Sequence, residues 1–218
     1  MDFNTTATEI RKSIVEMIYH SKSGHPGGSL SSVDILNYLY YKEMNVDPSN
    51  PKNPQRDRFV LSKGHAAPVL YATLAERGFF DKALLPTLRK LDSPLQGHPD
   101  SKKVPGVDIS TGSLGQGISN AVGLALGAKL DNRPARVYTI LGDGELQEGL
   151  VWEAAMAAAH YKLDNLVVIV DNNGLQIDGK NEDVIDLGSV ANKFKSFDFN
   201  VIEIDGHDYE QIANAFNS

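Results

Sequence analysis

A chain of 218 residues, 41% of them hydrophobic, is long enough for one ordinary domain with a sizeable core. Its 21 basic and 28 acidic residues leave a formal charge of −7 with no basic stripe, which argues against nucleic acid as a partner. With no cysteine it has no disulfide framework, thiolate zinc site or thiol nucleophile, and it fits a reducing cytoplasm. The first eight residues are polar and every fully apolar run is far too short to span a bilayer, so the expectation is a soluble, cytoplasmic protein without a membrane partner.

Along the chain, Ile10, Ile14, Met17 and Ile18 recur at helical spacing from Thr8 until Ser23-Gly24-His25-Pro26-Gly27-Gly28 stops the run. Leu30, Val33, Leu36 and Tyr40 predict a second helix over 29–41, and three Pro-containing turns follow between Asp47 and Pro54. Phe59 to Leu61 reads as a strand entering Lys63-Gly64-His65. Helices are predicted over 66–77 and 81–91, and a loop-rich stretch over 92–108 has Gly97-His98-Pro99 at its centre. In the second half, a buried Ala- and Gly-rich helix (115–130) precedes a strand (136–141), a helix (148–161), a strand (165–170), a third strand (201–204) and a last helix from Asp208. Strands alternating with helices predict an α/β fold, a mainly parallel sheet with helices on both faces.

Asp143 sits between Gly142 and Gly144 at the end of one predicted strand, and Asp171, Asn172 and Asn173 end the next. From Asp143 to Asn173 is 173 − 143 = 30 positions, the span of one strand–helix–strand unit, and such a unit brings both loops to the carboxyl edge where open α/β sheets bind ligands. A dinucleotide fingerprint fails, because Gln147 stands where the third glycine belongs. A P-loop fails too, because Ile118 follows Gly112-Ser113-Leu114-Gly115-Gln116-Gly117 where a lysine is required. A carboxylate beside a phosphate needs a cation between them. Asp143 and the Asn173 side-chain oxygen suit Mg²⁺, and Gly144 lets a diphosphate approach the backbone. Turn chemistry alone also accounts for Asp, Asn and Gly in either loop, and only the joint spacing favours metal and diphosphate.

The pattern GDG, then 27 residues (145–171), then Asn172-Asn173 resembles the thiamine diphosphate signature. SGHPGGSLSS (23–32), RFVLSKGHAAPVLYATLAERG (58–78), LQGHP (95–99) and TGSLGQGISNAVGLALGAKLD (111–131) resemble the transketolase family in order and spacing. The resemblance is closest to the N-terminal subunit of split transketolases. It implies a thiamine diphosphate-binding fold of the PP type over 1–218, apparently lacking that domain's usual C-terminal strand and loop. It implies Mg²⁺ or Ca²⁺ held by Asp143, Asn173 and the carbonyl of Leu175, with thiamine diphosphate bound by His65, Gly112, Ser113, Leu114, Gly144, Glu148 and Asn173. His25 and His98 correspond to histidines lining the substrate channel, and Glu148 to a glutamate that communicates across the subunit interface. Imidazoles titrating near neutrality also suit proton exchange with sugar hydroxyls, whereas His20, His160 and His207 read as structural.

The implied reaction moves a two-carbon ketol unit from a ketose phosphate to an aldose phosphate, most simply in the pentose phosphate pathway. A partner chain, the C-terminal transketolase subunit, would bring the pyrimidine-binding domain, giving a dimer of halves or a heterotetramer. The alternatives are a truncated, non-catalytic pairing domain and a transketolase-like enzyme for a different sugar.

Overall fold

The computed structural model describes residues 2–177 and 179–218. Three strands, β1 (Arg58–Leu61), β2 (Val137–Gly142) and β3 (Leu166–Asp171), pair in parallel in the order β1-β2-β3. Arg58 to Leu61 lie opposite Val137 to Ile140, and Val137 to Gly142 opposite Leu166 to Asp171. Because side chains alternate along a strand, each strand feeds two cores. Phe59, Leu61, Tyr138, Ile140, Val167 and Ile169 pack against α1 (Phe3–Ser21), α3 (Val33–Tyr38), α4 (Ala67–Arg77) and α9 (Tyr209–Phe216). Val60, Val137, Leu141, Leu166, Val168 and Val170 pack against α5 (Gln116–Leu130), α6 (Gly149–His160) and α8 (Val190–Lys195). The predicted α/β class, with a parallel sheet covered on both faces, is what the chain adopts.

Local chemistry sets the helix ends. Asp2 accepts the Asn4 N–H at 3.0 Å and opens α1, whose Ala7, Ile10, Ile14 and Met17 are buried at spacings of three and four. Gly78, at φ 93°, ends α4 in the left-handed conformation.

Four expectations are corrected. The helix expected over 29–41 is broken into α2 (Pro26–Leu30), α3 and a π-turn (Leu39–Glu43). Ser31 and Ser32 interrupt it because their hydroxyls bond the Gly28 carbonyl and the Asp171 carboxylate. The helix expected over 81–91 is only a 3₁₀ segment (Lys82–Thr87), since Pro86 lacks an N–H and Arg89 and Asp92 take positive φ. Residues 201–204 form no strand ladder among the described residues; side-chain packing of Val201 on the second core holds them instead. Finally, α5 is buried along one face only, because Gly123 and Gly127 have open space where a Cβ would stand. Two short strands, β4 (Leu175–Gln176) and β5 (Gly179–Lys180), form an antiparallel pair before α7 (Asn181–Val184). Among the described residues no helix is long and apolar enough to cross a membrane.

Two contacts fix the long loop between α4 and α5. The Tyr71 hydroxyl lies 2.9 and 3.0 Å from the carbonyls of Gln96 and His98. Asp108 takes Arg56 at 2.5 and 3.1 Å and the Phe59 N–H at 2.9 Å, and both side chains of this pair are under a tenth exposed. Removing one member leaves a buried charge unpaired, so Asp108→Ala is expected to lower unfolding free energy by about 3–5 kcal/mol in urea denaturation. A loss under about 1 kcal/mol would contradict this anchoring.

Candidate functional site

The ends of β2 and β3 meet at the carboxyl edge. Asp143, 2% exposed, accepts the Gly144 N–H at 2.9 Å with Oδ1 and the Gly174 N–H at 2.6 Å with Oδ2. Its own N–H donates to the Asp171 carbonyl at 3.2 Å. The loop of Asn173 is thus tied directly to Asp143, as the thirty-residue spacing predicts. Asn173 is exposed, and its Oδ1 accepts the Leu175 N–H at 3.0 Å.

Among the described residues no three His, Asp or Glu side chains gather to hold a metal ion. A cation here would therefore draw on one carboxylate, one amide oxygen and one carbonyl. The Asp143 carboxylate, the Asn173 side-chain oxygen and the Leu175 carbonyl are all hard oxygen donors, and each Asp143 oxygen keeps a second lone pair beyond its N–H bond. That donor set fits Mg²⁺ or Ca²⁺. Beside it Gly144 offers bare backbone, where a Cβ would come 3.1 Å from Gln176 Cβ.

Asp171, which the sequence pairs with Asn172 and Asn173 as turn chemistry, has another task. Its Oδ2 lies 2.5 Å from Lys63 Nζ, with Lys63 only 1% exposed, and it also accepts from Ser31, from Ser32 at 3.3 Å and from Asn173 Nδ2 at 3.4 Å. Burial alone would raise the Asp171 carboxyl, but Lys63 and these donors hold it below the usual range.

Three histidine motifs meet through glycines. A Cβ on Gly64 would stand 2.7 Å from Gly112 N, and one on Gly112 3.1 Å from His98 Cγ. His65 is the middle residue of a 3₁₀ turn (Gly64–Ala66) and meets the His25 ring edge-on at 5.2 Å. Burial, then the Lys63 charge, pushes His65 down to about 4. Burial and Arg89 lower His25, and burial, Arg89 and His25 lower His98. All three shifts favour the neutral ring, the form that can accept a proton. His207 belongs to another cluster: its Nδ1 lies 2.8 Å from Asp34, which Arg11 and Tyr209 also bind.

The remaining wall is the loop before α5. A cleft of about 180 Å³ opens over Thr111, Gly112, Ser113, Gln116 and Gly117, and Thr111 Oγ1 is buried beside Gly64 with no hydrogen-bond partner among the described residues. That unmet hydroxyl and the bare Gly112 backbone fit a polar ligand; Leu114 is half-buried in the same loop. A larger depression, about 380 Å³ along Thr8, Arg11 and Val15 of α1, gathers none of the predicted site residues. Glu148 is exposed, its Cβ side pressed toward Gly115. Sequence reasoning missed Glu145, 2% exposed, which accepts from Ser62 Oγ at 2.5 Å, the Gly115 N–H at 2.9 Å and the Gly142 N–H at 3.1 Å. Burial pushes its carboxyl up and the three donors oppose that. At the α5 N-terminus a carboxylate thus already occupies the N–H of the cap residue Gly115.

Because His65 falls below its unfolded value near 6.5, the unfolded chain binds more protons between about pH 6.5 and 4, and stability drops as pH falls through that window. An NMR titration should place His65 near pH 4, and His65→Gln should flatten stability against pH there. A His65 midpoint at or above 6.5 would contradict the burial and Lys63 effect.

Residues 3–218 match the family described as "Transketolase, thiamine diphosphate binding domain". The chain is 46% identical over 208 residues to a subunit of the apulose-4-phosphate transketolase of Phocaeicola vulgatus, covering 95% of this chain and 74% of that protein. It is 46% identical over 215 residues to the 6-deoxy-6-sulfo-D-fructose transketolase subunit of a Clostridium species, covering 99% and 78%. Among solved structures, transketolase from Campylobacter jejuni superposes with a TM-score of 0.94 at 37% identity, covering the whole of this chain and 36% of that one. The chain thus spans about three quarters of the subunits it matches and about a third of that longer enzyme. Alike in sequence and in fold from Phe3 to Ser218, the chain belongs to the transketolase family of transferases, whose thiamine diphosphate-binding domain it forms.

Proposed function

We propose that this chain is the cofactor-binding subunit of a split transketolase that moves a two-carbon ketol unit from a ketose phosphate to an aldose phosphate. The observation that carries it is the joint of Asp143 to the Asn173 loop at the carboxyl edge of the sheet, where Lys63 pairs with Asp171 and, with His65, lies against Gly28. Asp143, Asn173 and the Leu175 carbonyl would hold Mg²⁺ or Ca²⁺. Gly144, His65, Gly112, Ser113 and Leu114 would contact thiamine diphosphate, with Asn173 reaching it through the metal.

Bound there, thiamine diphosphate supplies the nucleophilic carbon that breaks and remakes the carbon–carbon bond. The chain's own residues orient it and manage protons. His25 and His98 can exchange protons with a sugar hydroxyl and a carbonyl oxygen, and burial, then the Arg89 charge, favours their neutral, accepting form.

A partner carrying the pyrimidine-binding domain completes the site in this reading, in a dimer of halves or a heterotetramer. Supporting it are the subunit names of the relatives, the exposed Glu148, and the open flank of α5 and α6, where Gly123 and Gly127 face open space and Met156 is exposed. The cysteine-free composition supports a cytoplasmic setting. The pentose phosphate exchange is the simplest reaction of this class. A second reading, the same chemistry on a different sugar, is favoured by the apulose-4-phosphate and 6-deoxy-6-sulfo-D-fructose of the two relatives' names.

Reconstitution with the partner subunit tests the assignment. Chelation should abolish ketol transfer, and Mg²⁺ or Ca²⁺ should restore it. Asp143→Asn should weaken metal-dependent cofactor binding about 100-fold, and His98→Ala should lower kcat by about 10²–10⁴ with cofactor affinity retained. Unchanged rates in both variants would defeat the site assignment. Failure to transfer from any ketose phosphate, despite bound cofactor, would favour a non-catalytic pairing domain.

A further inference from the structure

Glu145 is two residues from Asp143, yet its side chain turns away from the cleft into the protein. Its carboxylate gathers donors from three different elements: Ser62 at the end of β1, Gly142 at the end of β2, and Gly115 at the mouth of α5. Gly115 sits at φ 80° and brings no side-chain cap of its own, so the Glu145 oxygen does the capping from thirty residues away. The fit around this junction is tight, for a Cβ on Gly117 would stand 2.5 Å from Ser62 Cα and Oγ.

We propose that Glu145 is a positioning residue, whose buried carboxylate holds the loop opening α5 in register with the Asp143–Gly144 turn. It thereby sets the separation of the two walls of the cofactor site. The inference rests on the function proposed above. One wall is Gly112, Ser113 and Leu114, joined to the carboxylate through Gly115. The other is Asp143 and Gly144, joined to it through the backbone. Displacing the carboxylate would therefore move both walls, although Glu145 touches neither cofactor nor substrate. Trp152, the single tryptophan, reports on the same turn because its Nε1 donates to the Leu146 carbonyl at 3.0 Å.

Glu145→Gln keeps the size but exchanges one acceptor for a donor, so an N–H partner then faces another N–H. Ser62→Ala is the milder variant and leaves the carboxylate with its two backbone donors. Thiamine diphosphate with Mg²⁺ is titrated by calorimetry into the full chain assembled with its partner subunit, well below the Tm of each variant, while Trp152 emission is read on the cofactor-free chain. Glu145→Gln is expected to weaken binding about tenfold and shift Trp152 emission, and Ser62→Ala to weaken binding about threefold. The double variant should be no weaker than Glu145→Gln, since both act through one junction. A lowered Tm with unchanged Kd in Glu145→Gln would make the residue merely structural and overturn the inference. Should that variant not fold, an unchanged Kd in Ser62→Ala overturns it equally. Wild-type protein that binds no cofactor would overturn the proposed function, and this inference with it.

Discussion

Parallel pairing of β1, β2 and β3 delivers three strand ends to one edge of the sheet, where every buried polar group needs a partner. Three carboxylates meet that constraint. Asp143 takes two backbone N–H groups, Glu145 takes three donors, and Asp171 neutralises the buried Lys63. Each carboxylate joins segments that are distant in sequence. The edge is thus cross-linked by the chain's own side chains, and preorganised donors and acceptors are what a cofactor site requires. The long loop carrying His98 is fixed by the same logic, through Tyr71 on one side and Asp108 on the other.

The charges also divide the work among the histidines. Lys63 lies beneath the site, with its own charge matched by Asp171, and it helps keep His65 neutral. Burial, then the Arg89 charge, lowers His25 and His98. Three imidazoles in one place would be costly if protonated together. In the proposed function the neutral rings serve as proton acceptors for a hydroxyl-rich substrate.

Much of this was legible in the sequence because it depends on local periodicity. Strands predicted at 59–61, 136–141 and 165–170 fall within one residue of β1, β2 and β3, and the thirty-residue spacing correctly joins the loops of Asp143 and Asn173. What was not legible depends on distant partners. Ser31 and Ser32 break a helix whose spacing is otherwise good because Asp171 lies some 140 residues away. The Lys63–Asp171 pair spans 108 residues and the Ser62–Glu145 contact 83, so no short window shows either. Pro86 is plain in the sequence, and its missing N–H outweighs the helical spacing over 81–91. Residues 201–204 carry a strand-like pattern, yet pattern alone provides no neighbouring backbone.

In the proposed function the edge between β2 and β3 holds a metal-anchored diphosphate. A crystal structure of the chain with thiamine diphosphate and Mn²⁺, read by its anomalous signal, tests it most directly. The expected peak lies within about 2.0–2.6 Å of the Asp143 carboxylate, the Asn173 side-chain oxygen and the Leu175 carbonyl, with the diphosphate against Gly144. A metal bound instead by Asp171, or a diphosphate seated on the N-terminus of α5, would contradict the account.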